Sequence, residues 1–151
     1  MKTMLEAKGI SKIYNTGGNT FEALKDIHLQ VTEGEFVGIM GPSGSGKTTL
    51  LNVLSTIDTA SKGEILIDGK DIVKMNDDEL ALFRRNHLGF IFQDYNLLDT
   101  LTVQENIALP LALSKMKAKE NIVKMMFSFA FYITIYVLKY AQSHANLIYL
   151  P

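Results

Sequence analysis

Apolar and polar positions along the chain fall into short runs separated by turn formers. Residues 3–14 and 21–32 mix β-branched and apolar positions around Asn15-Thr16-Gly17-Gly18-Asn19, which predicts two strands joined by a turn. Glu33-Gly34 closes a further turn before the apolar run 35–40, of the kind found in a buried parallel strand. From Lys47 to Ile57, Leu50, Leu51, Val53, Leu54 and Ile57 recur at helical spacing. Glu64–Ile67, Asp68-Gly69 and Lys70–Val73 read as a hairpin, because Asp-Gly tolerates positive φ at the turn. Asn76 followed by Asp77, Asp78 and Glu79 is an N-cap with acids in the first turn, opening a helix to about Asn86. Leu88–Phe92 reads as another short strand. Thr102 and Glu105 have capping-box spacing for an amphipathic helix that Pro110 would kink or end.

Composition changes this picture at one place. The 151 residues carry 15 basic and 16 acidic side chains, a net charge of −1, which argues against attraction to nucleic acid or anionic lipid. The absence of cysteine excludes disulfides, thiolate nucleophiles and zinc-thiolate sites and suits a reducing cytosol. Charge arrives at Glu6 and Lys8 before an apolar run can build, so the start does not read as a secretory signal. Beyond residue 120, however, the only charged side chains are Lys124 and Lys139, and all 11 glycines lie at or before Gly89. Met125–Leu138 is a run of 14 uncharged residues, short of the roughly 20 that cross a bilayer. The chain therefore divides into residues 1–120 and an apolar tail, 121–151.

The chemistry lies between the third predicted strand and the helix after it. Gly41-Pro42-Ser43-Gly44-Ser45-Gly46-Lys47-Thr48 matches G-x-x-x-x-G-K-[ST] in full. Three glycines let backbone N–H groups wrap a polyphosphate at the positive end of the following helix. Lys47 would reach the β and γ phosphates, the Thr48 hydroxyl would ligate Mg²⁺, and Thr49 adds a second hydroxyl nearby. A strand before and a helix after are the context the motif requires. His28, His87 and His144 have no partner at metal-ligand spacing and read as structural. Asp68 ends an apolar run but precedes glycine, so it reads as a turn residue.

Around this loop, Gly9–Tyr14, Ala23–Leu29, Gly34–Leu51, Gly63–Ile65, Gly89–Gln93 and Leu101–Ile107 resemble, in order, the N-terminal half of an ABC-transporter ATP-binding subunit. The resemblance covers roughly residues 3–120. It looks closest to the branch serving lipoprotein release, macrolide export and antimicrobial-peptide export, through Arg84–Gln93 and Leu109-Pro110-Leu111. It implies an α/β, P-loop NTPase fold, incomplete here, with an N-terminal antiparallel β subdomain and a truncated helical part. It makes Tyr14, otherwise a half-exposed strand tyrosine, the ring that stacks on adenine. It makes Gln93, otherwise a polar loop entry, the glutamine that approaches Mg²⁺ and links nucleotide state to the membrane partner. ATP and Mg²⁺ are the implied cofactors. The implied partners are a membrane permease and a second ATP-binding subunit, with the protein peripheral on the cytoplasmic face of the membrane.

Hydrolysis in that family also needs a glycine-rich Leu-Ser-Gly-Gly-Gln signature, a Mg²⁺-holding acid after a second apolar strand, and a catalytic glutamate. No glycine follows Gly89 and no acid follows Glu120, so no catalytic residue is assigned. The tail is unlike the family's polar continuation, which suggests coding sequence out of frame and ending early. Without the strands that normally flank the P-loop strand, apolar surface is expected to stay exposed. The alternatives to a transporter ATP-binding subunit are a non-catalytic fragment that binds ATP or the partner, and an unrelated P-loop kinase.

Overall fold

The computed structural model describes residues 1–89, 97–113 and 146–150. They belong to two compact units, one of residues 1–88 with 144–151 and one of residues 89–143. The first unit is built on a four-stranded antiparallel sheet in the order β2-β1-β4-β5. Strands β1 (Thr3–Thr16) and β2 (Asn19–Thr32) form a hairpin that turns on Gly17 and Gly18 alone. Both turn residues take positive φ, the conformation that matches strand twist, so the ladder continues to Thr16↔Asn19 and runs further into the predicted turn than the composition suggested. Strands β4 (Lys62–Ile67) and β5 (Lys70–Asp71) are joined by Asp68-Gly69, both again at positive φ. The turn reading of Asp68 therefore holds. The second arm of that hairpin is shorter than predicted. Asp71 accepts from the Val73 N–H at 3.1 Å and diverts Ile72–Lys74 into a single 3₁₀ turn.

One face of this sheet carries the core. Ile10 and Ile65 from neighbouring strands are fully buried with Leu50 and Val53 of helix α1 (Lys47–Leu54), and Leu80 and Phe83 of helix α2 (Asp77–His87) are buried in the same cluster. Each such side chain contributes about 1.5–3 kcal/mol relative to exposure. Helix α2 opens with the expected Asn76 cap, completed as a capping box by Glu79, whose carboxylate accepts from Asn76 N at 2.9 Å. Arg84 of α2 donates to the Thr56 carbonyl at 2.8 Å, tying this helix to the end of α1. The α1 helix stops at Leu54, three residues short of the apolar periodicity, because Thr56 leaves helical space at φ 63°.

The strand before the loop, β3 (Val37–Met40), differs from the buried strand predicted for it. It is half-buried, with Met40 46% exposed. Its partner among the described residues is β6 (Asn146–Tyr149), which runs parallel to it in the register Val37↔Asn146 to Met40↔Tyr149. A segment of the apolar tail thus supplies a strand that the sequence did not predict. Two polar contacts seat it: Asn146 N donates to Phe36 O at 3.0 Å, and the Asn146 side-chain amide donates to Glu35.

In the second unit, helix α3 (Val103–Leu113) follows the predicted capping box of Thr102 and Glu105. It continues through Pro110 to Leu113 rather than ending there. Proline removes one bond to the preceding turn and crowds the carbonyl four residues back, neither of which stops a helix already nucleated at its capped end. Residues 90–92 of the predicted strand 88–92 lie outside the described residues, and Leu88 itself is extended but unpaired in either sheet.

Candidate functional site

Gly41 to Gly46 form an irregular arch between β3 and α1. Gly46 is the N-cap of α1 at φ 86°, and a Cβ there would sit 2.5 Å from the Ala23 carbonyl of β2. A Cβ on Gly41 would meet Ser45 Oγ at 2.5 Å and the Leu150 carbonyl at 2.6 Å. The arch is therefore pressed against the sheet unit at both ends, and glycine is demanded there by sterics as well as by φ. No side chain caps α1 and its first turn holds no acid, so no side chain of its own satisfies the opening N–H groups at the positive helix end.

The Lys47 ammonium lies across this arch. It donates to the Gly41 carbonyl at 2.9 Å, the Pro42 carbonyl at 2.6 Å and Ser45 Oγ at 3.3 Å. Those are neutral acceptors for a full charge, which an anionic oxygen would satisfy better. Pro42, Ser43 and Gly44 form the exposed crest, closed by a Ser45 N to Pro42 O bond of 3.3 Å. Thr48 is exposed in the first turn of α1, and Thr49 beside it is half-buried. No cluster of three or more His, Asp or Glu side chains at metal-holding distance exists among the described residues. The Thr48 hydroxyl is the side-chain oxygen that a cation at the end of this loop would draw on, with phosphate and water completing its shell, the way Mg²⁺ is usually held at nucleotides.

Tyr14 stands at the far end of β1, 38% exposed. Its hydroxyl donates to Asp58 Oδ2 at 2.7 Å, and Asp58 Oδ1 accepts from Lys12 Nζ at 2.5 Å and from Thr59 N at 2.7 Å. Lys12 Nζ also donates to Thr59 O at 2.8 Å and lies 4.9 Å from the Tyr14 ring centre. The bond to Asp58, with some burial and the nearby negative charge, holds the Tyr14 phenol above its ordinary value, while the Thr49 hydroxyl pulls the other way. Burial alone would push the Asp58 carboxyl up, but the bonds from Lys12, Tyr14 and Thr59 outweigh it and hold the group below the ordinary range. Asp58 N donates to the Asn52 carbonyl of α1 at 3.1 Å, so the carboxylate that holds the tyrosine is tied to the helix that follows the phosphate loop. Gln93 lies outside the described residues.

Lys12 and Asp58 were not singled out in the sequence. One signal for them exists: strict alternation puts Lys12 on the same strand face as the core residue Ile10, and a lysine on an apolar face requires an anion. Both described histidines have protein partners. His28 pairs with Asp26 at 3.0 Å, and His87 stacks on Phe83 with ring centres 4.5 Å apart. His144 lies outside the described residues.

The family profile described as ABC transporter matches residues 24–144. The chain belongs to the ABC transporter family. Its ATP-binding component is the part matched, with the P-loop NTPase fold. The chain is 58% identical over 119 residues to the uncharacterized ABC transporter ATP-binding protein YvcR of Bacillus subtilis, covering 78% of this chain and 46% of that protein. It is 60% identical over 116 residues to the bacitracin export ATP-binding protein BceA of Halalkalibacterium halodurans, covering 77% and 46%. A solved dimeric structure of the ATP-binding cassette MJ0796, in a post-hydrolysis state bound to ADP and Pi, superposes with a TM-score of 0.74 at 41% identity, covering 81% and 53%. The chain thus spans about half the length of the curated relatives it matches.

Proposed function

We propose that this chain is the nucleotide-binding part of an ABC exporter's ATP-binding subunit, taking the phosphates of ATP into the Gly41–Thr48 loop. The observation that carries this reading is the Lys47 ammonium, held over three neutral loop acceptors in front of an uncapped helix end. Gly41, Pro42, Ser43, Gly44, Ser45 and Gly46 would wrap the phosphates, Lys47 would exchange its carbonyl partners for phosphate oxygens, and Thr48 would hold Mg²⁺ with Thr49 beside it. Mg²⁺, when bound with the nucleotide, neutralises phosphate charge. Tyr14 would stack on the adenine, and Gln93 would approach the metal as in the family. The ADP- and Pi-bound MJ0796 cassette and the ATP-binding names of both relatives support this reading.

The same reading extends to partners. A membrane permease would receive the subunit on the cytoplasmic face, a second ATP-binding subunit would complete the site, and a peptide antibiotic is the exported class that BceA's name suggests. Residues 1–120 would form the ABC-type part, with 121–151 out of frame from the family. Without glycine after Gly89 or acid after Glu120, these 151 residues would bind ATP but contribute no catalytic group to its hydrolysis. Equilibrium dialysis with labelled ATP and Mg²⁺ tests the reading. The Lys47→Ala protein should bind about 10- to 100-fold more weakly, the effect of losing a charge-assisted bond to phosphate. Equal affinity of variant and wild type would overturn it.

A further inference from the structure

We infer that Asp58 is a positioning residue for nucleotide binding, which holds the Tyr14 ring at a fixed angle beside the phosphate loop and so sets the affinity for the base. The inference rests on the nucleotide reading above and goes beyond it in assigning a role to a residue outside every motif in the sequence.

The geometry is specific. The two oxygens of one carboxylate divide their work: Oδ1 takes the buried Lys12 and the Thr59 N–H, and Oδ2 takes the Tyr14 hydroxyl. Lys12 is itself fixed by its second bond to Thr59 O, so the carboxylate cannot swing without leaving a buried ammonium short of a partner. The same loop is stitched to β1 by Ser61 N to Ser11 O at 2.8 Å and Ile13 N to Ser61 Oγ at 3.0 Å. The tyrosine's remaining freedom is rotation about its own bonds, and the bond to Oδ2 removes it. With Lys12 Nζ on one side of the ring, a planar ligand has the ring's other face to stack on. The hydroxyl stays protonated at neutral pH, as its raised pKa requires, and so stays a donor to Asp58.

The test separates base binding from phosphate binding. Affinities for ATP and for inorganic tripolyphosphate, both with Mg²⁺, are measured on wild type, Tyr14→Phe and Asp58→Asn, with urea unfolding run alongside. Tyr14→Phe keeps the ring and loses only the bond to Asp58, so it stays informative if Asp58→Asn folds poorly. Both variants should lose about three- to tenfold in ATP affinity, the worth of one hydrogen bond, and bind tripolyphosphate as wild type does. Unchanged ATP affinity in Tyr14→Phe, or equal loss for both ligands, overturns the inference. If wild type binds tripolyphosphate and ATP equally, the base makes no contact and the inference falls while phosphate binding stands. If wild type binds neither ligand, the nucleotide reading itself fails and takes the inference with it.

Discussion

The antiparallel sheet and the phosphate arch are joined in one unit, yet they are stabilised in different ways. Ile10 and Ile65, on neighbouring strands of the sheet, are no more than 1% exposed, whereas β3 is four residues long, half-buried and paired on one side by β6 among the described residues. The sheet is held by burial. The arch is held by sterics: glycines pressed against Ala23 and Leu150 and a lysine folded over its own carbonyls. A site built this way gains precision from a rigid neighbour while keeping its own polar groups available to a ligand.

The widest separation between the two regions should appear in unfolding. Ile65→Ala removes a side chain 1% exposed and should cost about 3–4 kcal/mol in urea denaturation. Ile39→Ala in half-buried β3 should cost about 1 kcal/mol. Ile39 packs at the edge of the same core, so equal losses would mean that the edge is held as firmly as the interior and that burial does not separate the two regions.

What the sequence made legible follows the same division. The hairpin turns, the Asn76 cap, the Thr102 capping box and the loop between strand and helix were readable because each is set by residues within a few positions of one another. Strand β6 was not, because its pairing joins residues 37–40 to 146–149 and nothing in Asn146–Tyr149 itself specifies a partner. Asp58 was missed for the same reason, its two side-chain partners lying 46 and 44 positions away. Of the candidate site, the course of the loop between a strand and a helix was legible. The support beneath Tyr14 became visible only when β1 and the segment after α1 were placed side by side.

A smaller effect, and one that sharpens the comparison, is expected at Gly46. Alanine there would have to hold φ 86° with its Cβ against the Ala23 carbonyl, which should cost about 1–3 kcal/mol of stability. ATP affinity should fall as well, because relief of the clash moves the arch off β2. Stability lowered with affinity intact would show that the arch can shift as a body without losing its shape, contrary to the steric account.

The smallest effect concerns pH, and its sign follows from the two groups that meet at Tyr14. Asp58 is held below its ordinary 3.8, so the stability it contributes is present above that value and is lost as pH falls through the lowered one. Tyr14 is held above its ordinary 10.0, so its contribution is present below 10.0 and is lost as pH rises through the raised value. Between those limits the difference in stability between wild type and Tyr14→Phe should be flat, and it should shrink below about 3.8 and above about 10. The Asp58 side chain is 28% exposed, which keeps the whole effect modest. Urea midpoints of the two proteins measured across that range decide the matter. A difference that varies with pH inside the window would mean that a group other than the three that meet here reaches the contact, and a difference that persists at both extremes would mean that the phenol and the carboxylate do not depend on each other.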